Sequence, residues 1–114
     1  MQNIPRLILK ADDTIQTRTA RSVDPQLEAS LRQVCEADEG VLACYLLDAY
    51  KPDKDESFLI VAVTVEAEPE DLDGFAQKVW EILQQFPKYV SRTYIMSSRP
   101  FRDKYAGSEF YFRQ

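Results

Sequence analysis

Histidine is missing from this chain, glycine occurs three times and cysteine twice. No apolar run approaches the roughly 20 residues that span a bilayer. Each shortage excludes something. Without histidine the chain lacks the commonest general base, the commonest metal ligand and the usual pH switch. A hydrolytic triad would need a lysine or carboxylate base instead, and no serine sits in a nucleophile-elbow context. Three glycines leave no Gly-rich phosphate loop. Cys35 and Cys44 fit neither zinc nor redox spacing and read as two reduced core thiols. The opening residues, MQNIPRLILKADD, show no basic n-region, long apolar stretch or small-residue cleavage site. A cytoplasmic location without membrane contact is therefore expected, and no metal or other cofactor.

Positive charge is scarce overall but not in every part. The net charge of −5 argues against nucleic acid as a partner. Residues 1–87 carry eight basic and seventeen acidic side chains. Residues 88–114 reverse the balance, with Lys88, Arg92, Arg99, Arg102, Lys104 and Arg113 against Asp103 and Glu109. Either this segment lies on the acidic body or it receives an anionic ligand or acidic partner. The first reading is favoured, because surface charges usually carry no specific role.

The 114 residues make one domain, with 1–23 weakly structured or an edge segment. LILK (7–10) is a candidate short strand, and TIQTRTA (14–20) alternates too weakly for anything but a sheet edge. A helix is expected over 24–38. Asp24 caps it, Pro25 suits its first position, Glu28 suits its dipole, and Leu27, Leu31, Val34 and Cys35 form a stripe. Gly40 would end it at positive φ. Strands at 41–50 and 57–67 flank the polar loop KPDKDE and form an antiparallel hairpin. A second helix starts among Glu68, Pro69, Glu70, Asp71 and Asp73, and Pro87 stops it. Its apolar face holds Leu72, Phe75, Ala76, Val79, Trp80, Leu83 and Phe86. Strands at 88–96 and 109–113 complete the order. The result is an α+β two-layer sandwich, mainly antiparallel, with two helices on one face. Its centre resembles the split β-α-β layout of ferredoxin-like folds.

One stretch does not fit a sheet with a wet face. From Phe58 to Val65 no residue is charged and only Thr64 is polar. Leu59, Val61, Val63 and Val65 suit the helical side, which leaves Phe58, Ile60 and Ala62 on the other. In the first hairpin strand Leu42, Cys44 and Leu46 oppose Val41, Ala43, Tyr45 and Leu47. Four large apolar side chains left wet would forgo roughly 6–12 kcal/mol, which rivals the stability of a small domain. Three covers are open: a second copy, another protein, or the C-terminal segment with Phe101, Tyr105, Phe110, Tyr111 and Phe112. Residues 89–112 hold seven of the thirteen aromatics. With the arginines, that composition is typical of interfaces.

The stretch LEASLRQVCEADEGVLACYLLDA (27–49), the apolar strand after it, the second helix and the pair Phe110–Tyr111 resemble the C-terminal domain of the enhanced serine sensitivity (SseB) family. The resemblance covers about residues 22–113. The break EADEG stands where the family pattern has a proline, the loop 97–108 has no counterpart, and the N-terminal domain of longer members is not part of this chain. The resemblance implies an accessory or regulatory role and no reaction, cofactor or site residue.

Three functions follow as expectations. The first is a non-enzymatic interaction module, a homodimer or bound to another protein, with Tyr45, Leu47, Phe58, Ile60, Phe110 and Phe112 as interface residues. The second is a sensor of a small anionic, amino-acid-like ligand. Its pocket would use Arg92, Tyr94, Arg99, Arg102, Lys104 and Tyr105, since arginine binds carboxylate and phosphate bidentately. An enzyme on a ferredoxin-like dimer is the least favoured. The loop oxygens of Asp53, Asp55, Glu56 and Ser57 lack the glycine and distal glutamate of a calcium loop and read as a solvated turn.

Overall fold

The computed structural model describes residues 15–52 and 54–113. The strand expected at 7–10 and Asp53 of the hairpin loop lie outside them. The elements are β1 (Gln16–Thr19), α1 (Pro25–Ala37), β2 (Val41–Lys51), β3 (Glu56–Val65), α2 (Glu70–Leu83), α3 (Pro87–Val90), β4 (Thr93–Ser97) and β5 (Tyr111–Phe112). The fold is α+β, a mixed sheet with helices packed against it.

Helix α1 forms for the local reasons legible in its sequence. The Asp24 carboxylate accepts the Gln26 N–H at 2.8 Å, and Leu27, Leu31 and Cys35 are buried at helical spacing. Its end differs from expectation. Gly40 does not have positive φ. Space is what constrains it: a Cβ there would lie 2.8 Å from the Asp71 Cγ. Asp71 in turn accepts the Ala67 N–H at 3.1 Å as the chain enters α2. The end of α1 is instead held by Arg113. Its guanidinium donates to the carbonyls of Cys35 at 3.0 Å and Asp38 at 2.9 Å, and through Nε to Val41 at 2.9 Å.

The strand order is β1-β2-β3-β4, and β5 also pairs with β2. β1 lies beside Leu47–Tyr50 and β5 beside Ala43–Cys44, both antiparallel to β2. They therefore share one edge of β2, end to end. β2 and β3 form the expected antiparallel hairpin, and β4 runs parallel to β3. A split β-α-β layout would insert a strand between those two parallel partners. Here Leu59 faces Thr93 and Val61 faces Ile95 directly, so the ferredoxin-like order is not followed. The strand expected over 88–96 is shortened too. Pro87 starts a helical turn, with the Tyr89 N–H bonded to the Phe86 carbonyl at 2.9 Å. A proline suits the first position of a helix, and that preference outweighs the β-forming side chains Tyr89 and Val90.

Two apolar clusters lie on opposite faces of the sheet. The helical side collects Leu27, Leu31 and Cys35 of α1, Phe75, Val79 and Leu83 of α2, and Cys44, Leu46, Leu59, Val61 and Val63 of the hairpin. Val41 also joins this side, against expectation, because the register shifts between Val41 and Ala43. Both cysteines are free and buried. A hydrogen bond with Cys35, and then burial, push the Cys44 thiol well up, which keeps it protonated and unreactive.

The opposite face holds Ala43, Tyr45, Leu47, Ala49, Phe58, Ile60 and Ala62, with Phe101 and Tyr105 in the same buried cluster. The chain's own C-terminal segment thus contributes to the cover. Ser98 anchors that segment. It is buried, its N–H bonds the Val63 carbonyl at 2.9 Å, and its own carbonyl accepts from Phe101 at 2.8 Å and Arg102 at 2.9 Å. The following turns place Phe101 and Tyr105 four residues apart, on one side, with both only 7% exposed. The Tyr105 hydroxyl is 2.6 Å from Thr17 Oγ1, which ties the segment to β1. Gly107, at φ 89°, ends it in a conformation that favours glycine. Burial, and then the charge of nearby Glu109, raise the Tyr45 phenol pKa.

Among the described residues one buried side-chain group is left unsatisfied: Thr93 Oγ1 has no hydrogen-bond partner. A stranded hydroxyl costs about 1–3 kcal/mol. Thr93→Val keeps the shape and removes that group. Urea unfolding is expected to give a gain near 1 kcal/mol. A loss of 1 kcal/mol or more would mean that the hydroxyl has a partner.

Candidate functional site

At its distal, turn end the helix-facing side of the hairpin becomes polar. On β2 the series Cys44, Leu46 gives way to Asp48 and Tyr50. On β3 Val61 and Leu59 give way to Ser57. Cross-strand pairing puts Arg18 beside Asp48 and Gln16 beside Tyr50. These side chains floor a cleft of about 660 Å³, within the range of small-molecule sites. Its walls are the β1–α1 connection at Val23 and the α3 region at Tyr89 and Arg92.

The walls are fixed by hydrogen bonds. The Tyr89 hydroxyl accepts the Asp24 N–H at 3.0 Å, which joins α3 to the start of α1. The Arg92 N–H bonds the Tyr89 carbonyl at 3.0 Å, and the Arg92 carbonyl accepts from Leu59 at 2.8 Å. Tyr50 donates to Asp55 at 2.8 Å, a bond that raises the phenol pKa. The cleft contains one loose ion pair, Arg18 to Asp48 at 3.7 Å. Among the described residues the Arg92 guanidinium has neither an ion pair nor a hydrogen bond. A fixed backbone thus carries an unpaired cation among the residues that line this cleft.

The six residues expected to share an anion pocket are dispersed. Arg92 and Tyr94 do line one smaller cleft on the opposite side of the sheet edge, with Glu56 and Phe58. The Tyr94 ring packs edge-on against Phe58 at 5.2 Å. Arg99 pairs with Glu68 at 3.2 Å. Lys104 lies over the Tyr105 ring and 3.4 Å from Thr17 Oγ1. Tyr105 is part of the cover, and Arg102 is exposed. The basic segment therefore consists mainly of structural contacts, and Arg92 is its free member in the larger cleft.

The expected interface residues divide as well. Tyr45, Leu47, Phe58 and Ile60 are buried within the single chain. Phe110 is half-buried under the Arg32 guanidinium, 4.4 Å from its ring centroid. Phe112 is 63% exposed.

Sequence reasoning missed Arg18, Asp48, Tyr50, Ser57 and Tyr89. A signal was present in LLDAY (46–50), where polar residues replace apolar ones on the core face of a strand. That change marks where the helical layer ends. Among the described residues no group of three or more Cys, Asp or Glu is placed to hold a metal, and no helix is long and apolar enough to cross a membrane. Comparison with protein-family models, curated proteins and solved structures finds no match for this chain.

Proposed function

We propose that this chain is a non-enzymatic regulatory module that binds a small anionic ligand in the cleft at the distal end of the hairpin. The observation that carries this reading is the unpaired Arg92 guanidinium on a hydrogen-bonded backbone. A guanidinium recognises carboxylate or phosphate through bidentate, charge-assisted hydrogen bonds. The groups around it are phenols, hydroxyls and one ion pair, which suit holding and orienting. Amino-acid-like molecules remain within this ligand class. The resemblance to the SseB C-terminal domain is in keeping with a regulatory role and contributes no residue to the site.

A second reading, a protein-interaction role with self-association, is favoured by Phe112, the large apolar side chain left exposed among the described residues. It would use that residue rather than the covered sheet face.

Thermal unfolding with succinate, phosphate and L-serine tests the first reading. A ligand at one hundred times its dissociation constant stabilises by about 2.7 kcal/mol. At least one of these anions is expected to raise Tm by several degrees. Arg92→Gln is expected to abolish the shift, and Arg102→Gln, outside the cleft, to retain it. No shift with any of the three, or a shift that survives Arg92→Gln, would overturn the reading.

A further inference from the structure

The cleft that Arg92 lines holds a second charged group, Asp48, and a binding role for that group rests on reading the cleft as an anion site. Arg18, Asp48, Leu59 and Thr93 form one row across the four strands. Arg92 immediately precedes Thr93 and lines the same cleft as Asp48. The backbones of Asp48 and Thr93 are two strands apart, roughly 10 Å at the usual strand spacing. Between them the floor is Leu59, an apolar side chain. Asp48, Leu59 and Arg92, a carboxylate, an apolar side chain and a guanidinium, thus line one site.

Neither charged group is firmly satisfied by the protein. Arg92 has no partner among the described residues. Asp48 has Arg18, but at 3.7 Å, with side-chain exposures of 77% for Arg18 and 38% for Asp48. Exposed pairs of this kind contribute little, so a ligand cation can replace Arg18 at Asp48 with small loss. An anion alone would leave that carboxylate unused.

We propose that the cleft takes an elongated zwitterion of the ω-amino carboxylate type. Its carboxylate lies on Arg92, its ammonium on Asp48, and its methylene chain over Leu59. An α-amino acid carries both charges on one carbon and does not span this separation.

Isothermal titration calorimetry with 6-aminohexanoate, hexanoate, hexylammonium and norleucine tests the proposal, each variant first checked for folding by circular dichroism. The expected result is that 6-aminohexanoate binds at least tenfold tighter than the other three. Asp48→Asn should erase its advantage over hexanoate while leaving hexanoate binding intact. Arg18→Gln, which frees Asp48, should tighten 6-aminohexanoate severalfold relative to hexanoate. Equal binding of hexanoate or norleucine, or an advantage that survives Asp48→Asn, would overturn the zwitterion assignment alone. If no carboxylate binds at all and Arg92→Gln changes nothing, the anion-site reading falls, and this one with it.

Discussion

Phe101→Ala is expected to destabilise the protein by about 3–5 kcal/mol, the usual range for deleting a buried phenylalanine side chain. The ring is 7% exposed and shares a cluster with Ile60, Leu47 and Phe58. Its loss removes more than transferred surface. The segment from Ser98 to Gly107 is held on the sheet by two rings, by the Tyr105–Thr17 hydrogen bond and by the Ser98 anchor. Without one ring, part of an apolar face becomes accessible, and such a face promotes association. Light scattering of the parent protein should give the 13.2 kDa of one chain. The variant should associate as concentration rises. Tyr105→Phe, which removes only a hydroxyl, should cost about 1 kcal/mol. A Phe101→Ala variant within 1 kcal/mol of the parent, and still monomeric, would show that this segment does not cover the face.

Arg113→Ala should cost about 2–3 kcal/mol, because one guanidinium serves several buried or half-buried carbonyls. Hydrogen bonds to charged groups contribute about 1.5–3 kcal/mol each, and those in one network do not add fully. Cys35, Asp38 and Val41 would all lose a donor. The positive charge also complements the negative end of the α1 dipole. Arg113→Lys keeps the charge and loses the planar fork, so it should recover less than half of the loss. Full rescue by lysine would reduce the role to charge alone. The measurement is urea unfolding with an unchanged m-value, since only then is a shift in midpoint a shift in stability.

Phe101 and Arg113 belong to the same C-terminal segment, and their places in the fold explain why its composition is ambiguous when read alone. Aromatic and basic residues together suggest an interface. In the folded chain Phe101 and Tyr105 enter the second core, Arg99 pairs with Glu68, Lys104 lies over Tyr105 and beside Thr17, and Arg113 closes α1. The spacing of Phe101 and Tyr105, four residues apart, is a legible sign of a helical turn with one apolar side. The partner of that side is not legible, because nothing near those residues in the sequence names it.

The site divides in the same way. Arg92 stands out by its place in the basic segment. Asp48 and Arg18 do not, since their meaning depends on where the helices end above the sheet. Sequence by itself determined α1, α2, the hairpin and the doubled apolar character of β3, because side-chain periodicity, caps and turn residues act within a few positions. Tertiary structure alone decided the strand order, the shift at Val41, the cover of the second face and the cleft. Those features rest on contacts such as Thr17 with Tyr105, 88 residues apart, and Arg113 with Cys35, 78 apart. Pairings over such distances are selected by the packing of the whole chain, which no local pattern records.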